Sequence, residues 1–263
     1  MDSYIIEWLN LVVRWIHVIT GIAWIGASFF FNWLDSQLTP PENPEPKVEG
    51  ELWMIHSGGF YQLEKTMISP SEIPRVLHWF KWEAYSTWIS GIFLLGIVYY
   101  TGSGVYLIDS QIADLSYWMA VSISLGTILA AWLVYDFLWA SSLGEKGWFP
   151  VVISFLLLFG VIWWFHQWFG SRAAYIHVGA VMGTLMVGNV WRRIIPSQTK
   201  LVDAVKAGKS PEASLGIKAK QRSIHNNYMT LPVVFIMISN HFPNTFAHQM
   251  NWLILVAIIV IGA

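Results

Sequence analysis

Residues 117–139 read YWMAVSISLGTILAAWLVYDFLW, a run of apolar and small residues interrupted by a single charged side chain, Asp136. At about 1.5 Å per helical residue, such a run is long enough to cross roughly 30 Å of hydrocarbon. Comparable stretches lie near 11–32, 82–101, 150–168, 173–191 and 225–241, which makes six predicted spans. A seventh opens at Asn251 and continues to Ala263. Those last residues cover only about 20 Å as a helix, so the final span is expected to be truncated. The predicted fold class is therefore all-α, a polytopic integral membrane helix bundle forming a single transmembrane domain over 1–263. The first segment carries acids before it and has no small-residue cleavage site, so it is not expected to be a signal peptide.

Composition agrees with that reading. Of the 263 residues, 55% are apolar, 16% aromatic and only 12% charged, against about 25% charged in an ordinary soluble domain. Seventeen tryptophans and a mean hydropathy of +0.50 suit a lipid bilayer and its interfaces. A net charge of −1 argues against a nucleic-acid partner. The chain has no cysteine, which excludes disulfides, thiolate catalysis, iron–sulfur ligation and thioether-attached haem on it.

Positive charge sets the expected orientation. Thirteen of the fifteen lysines and arginines fall in the loops 34–81, 140–149 and 192–224. By the positive-inside rule these loops face the cytoplasm and the N-terminus faces outward, as in a bacterial-type inner (cytoplasmic) membrane. The loops 34–81 and 192–224 are expected to contain short helices. Ser197 would cap one ending at Gly208, and Ser210-Pro211-Glu212 would start another. Pro40-Pro41-Glu42-Asn43-Pro44-Glu45-Pro46 reads as a stiff extended linker.

On this topology the eight histidines sort into two layers. His17, His166, His177, His241 and His248 lie toward the outer face, and His56, His78 and His225 toward the inner face. Two imidazoles from neighbouring helices can hold a haem iron axially. His17 and His177 suit a non-covalent haem b best, with Gly21, Gly179 and Gly183 admitting the flat macrocycle; His166 and His241 are further candidate ligands. The alternative for each is an imidazole hydrogen-bonded to a neighbouring helix. In the inner layer, Pro74 would begin the second helix early and place His78, Lys81, Trp82 and Tyr85 on one face, with Glu83 at the membrane boundary. Asp136 is an intramembrane acid for which Lys81 or Arg192 is the expected partner. The densest polar stretch is His225-Asn226-Asn227-Tyr228-Met229-Thr230-Leu231-Pro232, where proline leaves the Tyr228 carbonyl without its usual donor. Its amides, imidazole and phenol could read the edge of a small planar heterocycle; otherwise it is an asparagine-capped helix start with a tolerated kink. His56-Ser57-Gly58-Gly59-Phe60-Tyr61 is a second polar stretch whose glycines allow close backbone approach.

Four stretches in this order, Arg14-Trp15-Ile16-His17 with Gly21 and Trp24-Ile25-Gly26, His56 through Tyr61, Trp79-Phe80-Lys81-Trp82-Glu83-Ala84-Tyr85, and His225-Asn226-Asn227-Tyr228 through Ile238-Ser239-Asn240-His241, resemble the membrane-bound urate hydroxylase (urate oxidase) family of the PuuD type. The resemblance covers nearly the whole chain. It implies a membrane domain of eight helices followed by a C-terminal cytochrome c domain, and oxidation of urate with water to 5-hydroxyisourate. Electrons would pass to cytochrome c rather than to O2. The sequence departs from that pattern in lacking an eighth helix and any Cys-x-x-Cys-His site, so haem c is expected only on a missing domain or a separate partner. On the resemblance, urate binds toward the cytoplasm. Asn226, Asn227, Tyr228, Thr230 and His56 would contact it, Trp82 and Phe60 would stack on it, and Lys81 would offset its charge. His225 or Glu83 would accept protons, and haem at His17 and His177 would relay electrons outward. The competing expectations are a haem-bearing electron-transfer or assembly subunit of a larger membrane complex, and a transporter.

Overall fold

A computed structural model describes residues 3–42, 47–66, 73–74 and 76–263. The first helix, α1, runs Ser3–Gln37. A β-hairpin follows, β1 Val48–His56 and β2 Gly59–Thr66. Next come α2 (Trp82–Leu95), which ends in a π-turn Gly96–Tyr100, then α3 (Tyr117–Ala140) and α4 (Phe149–Trp168). α5 (Ser171–Asn189) continues through a π-turn, Val190–Ile194, into α6 (Ile195–Lys206). α7 (Ala213–Ser239), the single-turn α8 (Pro243–Phe246) and α9 (Asn251–Gly262) complete the chain.

Among the described residues, four helices are long and apolar enough to cross a membrane: α1, α3, α4 and the continuous helix Ser171–Lys206. Their outward residues, such as Ile22, Leu129, Phe137 and Leu156, stand exposed, which would be a large apolar patch in water. The other three predicted spans are shorter or more polar as elements. α2 has 14 residues of regular helix before its π-turn, α9 has 12, and α7 carries a charged N-terminal half.

The hairpin corrects the all-α expectation for 34–81. Leu52, Met54 and His56 alternate with Trp53 and Ile55, and pair with Leu63, Tyr61, Gly59, Gln62 and Phe60 in turn. Ser57 and Gly58 both have positive φ, +50° and +78°, as a two-residue hairpin turn of the primed type requires. The glycine thus serves the turn, and the strand period of two prevails over a helical one. Main-chain bonds between Thr39 and Glu51 and an ion pair from Lys65 to Asp35 at 3.2 Å tie the hairpin to the end of α1. Of the predicted linker, residues 43–46 lie outside the described residues, as does Arg75.

Three helix boundaries also differ from expectation. α2 starts at Trp82 instead of Pro74, because Phe80 packs edge-on against Phe31 of α1 and against His78, holding 76–80 across the end of α1. Residues 192–206 continue the helix begun at Ser171, so Ser197 is interior and caps nothing. α7 starts twelve residues before His225, so His225 and Asn226 sit within a helix and are not its cap.

α5 is the centre of the molecule. Ala173, Ala174, Tyr175, Val178 and Val181 are buried against Phe165 and Phe169 from α4 and its end, Ile236 of α7 and Leu255 and Ile259 of α9. Small residues on α5 permit this closeness. A Cβ at Gly179 would lie 2.8 Å from Ile236 Cγ2, and one at Gly188 would overlap the indole of Trp132 on α3. Gly188→Val is expected to force α3 from α5, costing about 1–3 kcal/mol. Differential scanning fluorimetry in detergent should show a lower Tm; an unchanged melt would mean this contact is not made.

Candidate functional site

The α3–α5–α7 contact that Gly188 permits ends, where α5 gives way to its π-turn, in a layer of polar side chains. Asn189 is the last residue of α5 before its helix widens, and its amide nitrogen donates to Tyr135 Oη of α3 at 3.0 Å and to Asn226 Oδ1 of α7 at 2.9 Å. Asn226 in turn donates from Nδ2 to the Met186 carbonyl at 3.1 Å, and its own carbonyl accepts from Thr230 Oγ1 at 2.8 Å. Both ends of the Asn226 amide are therefore occupied inside the protein.

Tyr135 Oη lies 2.7 Å from His225 Nδ1. Because Asn189 donates to this hydroxyl, the tyrosyl proton is free to go to Nδ1, leaving His225 with its remaining proton on Nε2. Trp139 packs edge-on against the imidazole, with ring centroids 4.1 Å apart, and is held by its own bond from Nε1 to Ser154 Oγ at 2.9 Å.

Beside this chain of bonds lies a charge cluster. Arg193 forks onto Asp136, Nε to Oδ1 at 2.6 Å and Nη2 to Oδ2 at 2.5 Å. Arg222 approaches Asp136 Oδ1 at 3.5 Å and stacks 5.0 Å from the Tyr135 ring centroid. The partners of Asp136 are thus Arg193 and Arg222, in place of Lys81 or Arg192. Pairing was set by which arginines the continuous α5–α6 helix and the early start of α7 carry to α3.

Tyr135, Trp139, His225 and Tyr228 line a cavity of about 1090 Å³ between α3, α4, α5, α7 and α9. The rest of its wall is largely aliphatic and glycine, including Gly126, Val151, Gly160, Met182 and Ile259. It is a half-open, mostly apolar cleft that reaches outward residues such as Leu156, with a few polar groups among its lining, the composition common to small-molecule sites.

The other predicted site residues fall elsewhere. Asn227 turns away from Asn226 and donates to Asn32 Oδ1 of α1 at 3.0 Å, so the two amides do not read one ligand edge. Lys81, Trp82 and Glu83 open α2; Lys81 Nζ sits 6.0 Å from the Trp82 ring, and Glu83 Oε1 is 3.9 Å from His78 Nε2, while Glu83 Oε2 is buried without a partner among the described residues. Thr230 is buried in the α7 network, and His56 and Phe60 stand exposed at the hairpin turn. Tyr135, Asn189, Trp139 and Arg222 were not singled out from the sequence. An amide within the apolar run 173–191 and a phenol beside Asp136 were the signals for two of them.

Of the histidines expected in the outer layer, three are bonded to main-chain carbonyls. His17 Nδ1 donates to the Thr87 carbonyl at 2.9 Å, its ring lying where a Cβ on Gly91 would sit 3.0 Å away. His177 is fully buried between Tyr99, Phe165 and Phe169, with Nδ1 bonded to the Ala173 carbonyl at 2.7 Å. His166 bonds the Ile162 carbonyl at 2.7 Å, and His241 is exposed beyond α7. Gly179 is filled by Ile236, whereas a Cβ on Gly21 would meet only Thr87 at 3.9 Å and Gly183 has open space beside it. Nε2 of both His166 and His177 is buried without a hydrogen-bond partner among the described residues; no step below is routed through a haem. Among the described residues no group of three histidine or carboxylate side chains is placed to hold a metal ion.

Fold and site together define a bundle of long apolar helices with a half-open apolar cleft, one side of which carries the hydrogen-bonded Tyr135–His225 pair. The family model described as urate oxidase N-terminal matches residues 3–263, and the chain belongs to that family. Membership places its chemistry in urate-related oxidation, as an oxidoreductase of purine catabolism with urate as the substrate of the family. No curated protein and no solved structure matches the chain.

Proposed function

We propose that the chain is the membrane-embedded part of a urate hydroxylase of the PuuD type. It adds water to urate to form 5-hydroxyisourate, releasing two protons and two electrons that pass to cytochrome c. The observation that carries the reading is the family match over nearly the whole chain, joined to a cleft whose lining presents the His225 imidazole, hydrogen-bonded to Tyr135.

Urate lies against that lining. His225 Nε2–H donates to a purine oxygen and stabilises the negative charge that grows there as water adds, while Tyr135 and Asn189 hold the imidazole. Trp139 and Tyr228 offer aromatic faces to the heterocycle. His225 therefore acts in its resting tautomer as a donor. Glu83, whose Oε2 is buried without a partner among the described residues, takes up released protons at the start of α2, beside Lys81 and Trp82 in the chain. The seven apolar segments lie in a bacterial-type inner membrane with the N-terminus outside and the basic loops inside. With no cysteine in the chain, the c-type haem that receives the electrons belongs to another domain or protein.

The test uses the detergent-purified chain under nitrogen with urate and oxidised cytochrome c. Urate-dependent reduction of cytochrome c, at about two haems per urate consumed, is the expected result. No consumption of urate with cytochrome c or with an artificial one-electron acceptor overturns the reading. Tyr135→Phe leaves His225 in place but removes the group that sets its tautomer, and should lower kcat by about 10- to 100-fold, less than loss of the imidazole itself.

A further inference from the structure

The charge cluster beside the cavity does not balance. Asp136 is held by both forks of Arg193, and Arg222 reaches the same carboxylate only at 3.5 Å and the Asp136 carbonyl at 3.4 Å. One carboxylate thus faces two guanidinium groups. Arg222 is 3% exposed, and its Nη1 is buried without a hydrogen-bond partner among the described residues. An arginine does not shed its proton to escape such a site, and a buried, uncompensated cation is costly. The unbalanced charge lies next to the Tyr135–His225 pair: Tyr135 is stacked on the Arg222 guanidinium and itself lines the cavity. Arg222, His225 and Asn226 follow at i, i+3 and i+4 on α7, so they share one face.

We propose that Arg222 selects the charge of the ligand: its buried, unbalanced guanidinium makes the His225 wall a site for a monoanionic planar heterocycle and disfavours the neutral analogue of the same shape. The inference rests on the urate reading and adds the ionic form of the substrate, urate being a monoanion at neutral pH. It also reassigns the cation predicted at Lys81 to a residue on α7. Arg222 acts across the Tyr135 ring, through its field in a medium of low dielectric, and is a specificity-determining residue with no part in the chemistry. Because Asp136 neutralises only one of the two arginines, removing Arg193 should let Asp136 pair with Arg222 and abolish the preference while Arg222 is still present.

Equilibrium binding of radiolabelled urate and of hypoxanthine, a smaller purine that is neutral at pH 7, to the full detergent-solubilised chain shows whether a variant changes the affinity for the anion alone. Arg222→Gln should weaken urate binding by roughly 10- to 100-fold, the loss of one charge-assisted interaction, and change hypoxanthine binding by less than about twofold. Arg222→Lys should keep most of the preference. Arg193→Gln should lose it as Arg222→Gln does, which decides the matter if Arg222→Gln does not fold. Equal losses of both ligands in a variant that melts like the wild type, or undiminished urate binding in Arg222→Gln and Arg193→Gln, overturns the proposal and leaves the urate reading standing. Failure of the wild-type chain to bind urate overturns both.

Discussion

Asp136→Asn is expected to destabilise the protein by about 2–4 kcal/mol, one of the largest effects of any single polar substitution in it. Removing one member of a buried ion pair costs about 3–5 kcal/mol, because the partner is left charged and desolvated. Here the lower range applies, since the Arg193 side chain is 35% exposed and can recover some hydration, whereas Arg222 at 4% cannot. The cluster joins α3 to the α5–α6 helix and to α7 at one level, so its loss should open that end of the bundle as a unit. Thermal unfolding in detergent checks the magnitude. A double variant, Asp136→Asn with Arg193→Gln, should be less destabilised than the sum of the two single variants, since the second change removes a charge that the first left unpaired. Strict additivity would show that the fork between Arg193 and Asp136 contributes nothing.

His225→Ala should lower the rate of urate oxidation by about 10²- to 10³-fold, the scale of removing one donor that meets charge developing in the transition state, with a small change in Tm. The small structural cost follows from the position of the imidazole. It contributes one hydrogen bond, to Tyr135, and faces a cavity on its other side, so its removal leaves no close-packed void. Steady-state kinetics with urate and cytochrome c provide the measurement. A variant that retains wild-type kcat would remove His225 from the mechanism and move attention to the α2 end, where Glu83 Oε2 has no partner among the described residues.

Much of the molecule was legible along the chain. Apolar runs with the length of a span located every long helix, because an apolar surface needs only composition and length to be recognised. The inner polar stretch at His225–Thr230 was recognisable as the densest group of hydrogen-bonding side chains near a span. Its internal division was not. Asn226 and Asn227 are neighbours in sequence, yet a helix turns them about 100° apart, so one joins Asn189 and the other Asn32. The expectation of short helices within 34–81 failed for a related reason. Alternation with a period of two and a Ser-Gly pair define a hairpin, but a short apolar run beside a span carries both periodicities.

What the sequence determined by itself was an apolar, largely helical chain, the end of it at which charge accumulates, and the exclusion of all cysteine chemistry. These depend on solvation, which is summed residue by residue. Partnership was decided only in three dimensions. Which arginine meets Asp136, whether His17 meets His177, and which hydroxyl sets the tautomer of His225 depend on the phase of each helix against its neighbours. That phase is set by close contacts such as Gly188 on Trp132 and Gly179 on Ile236, tens of residues away in the chain.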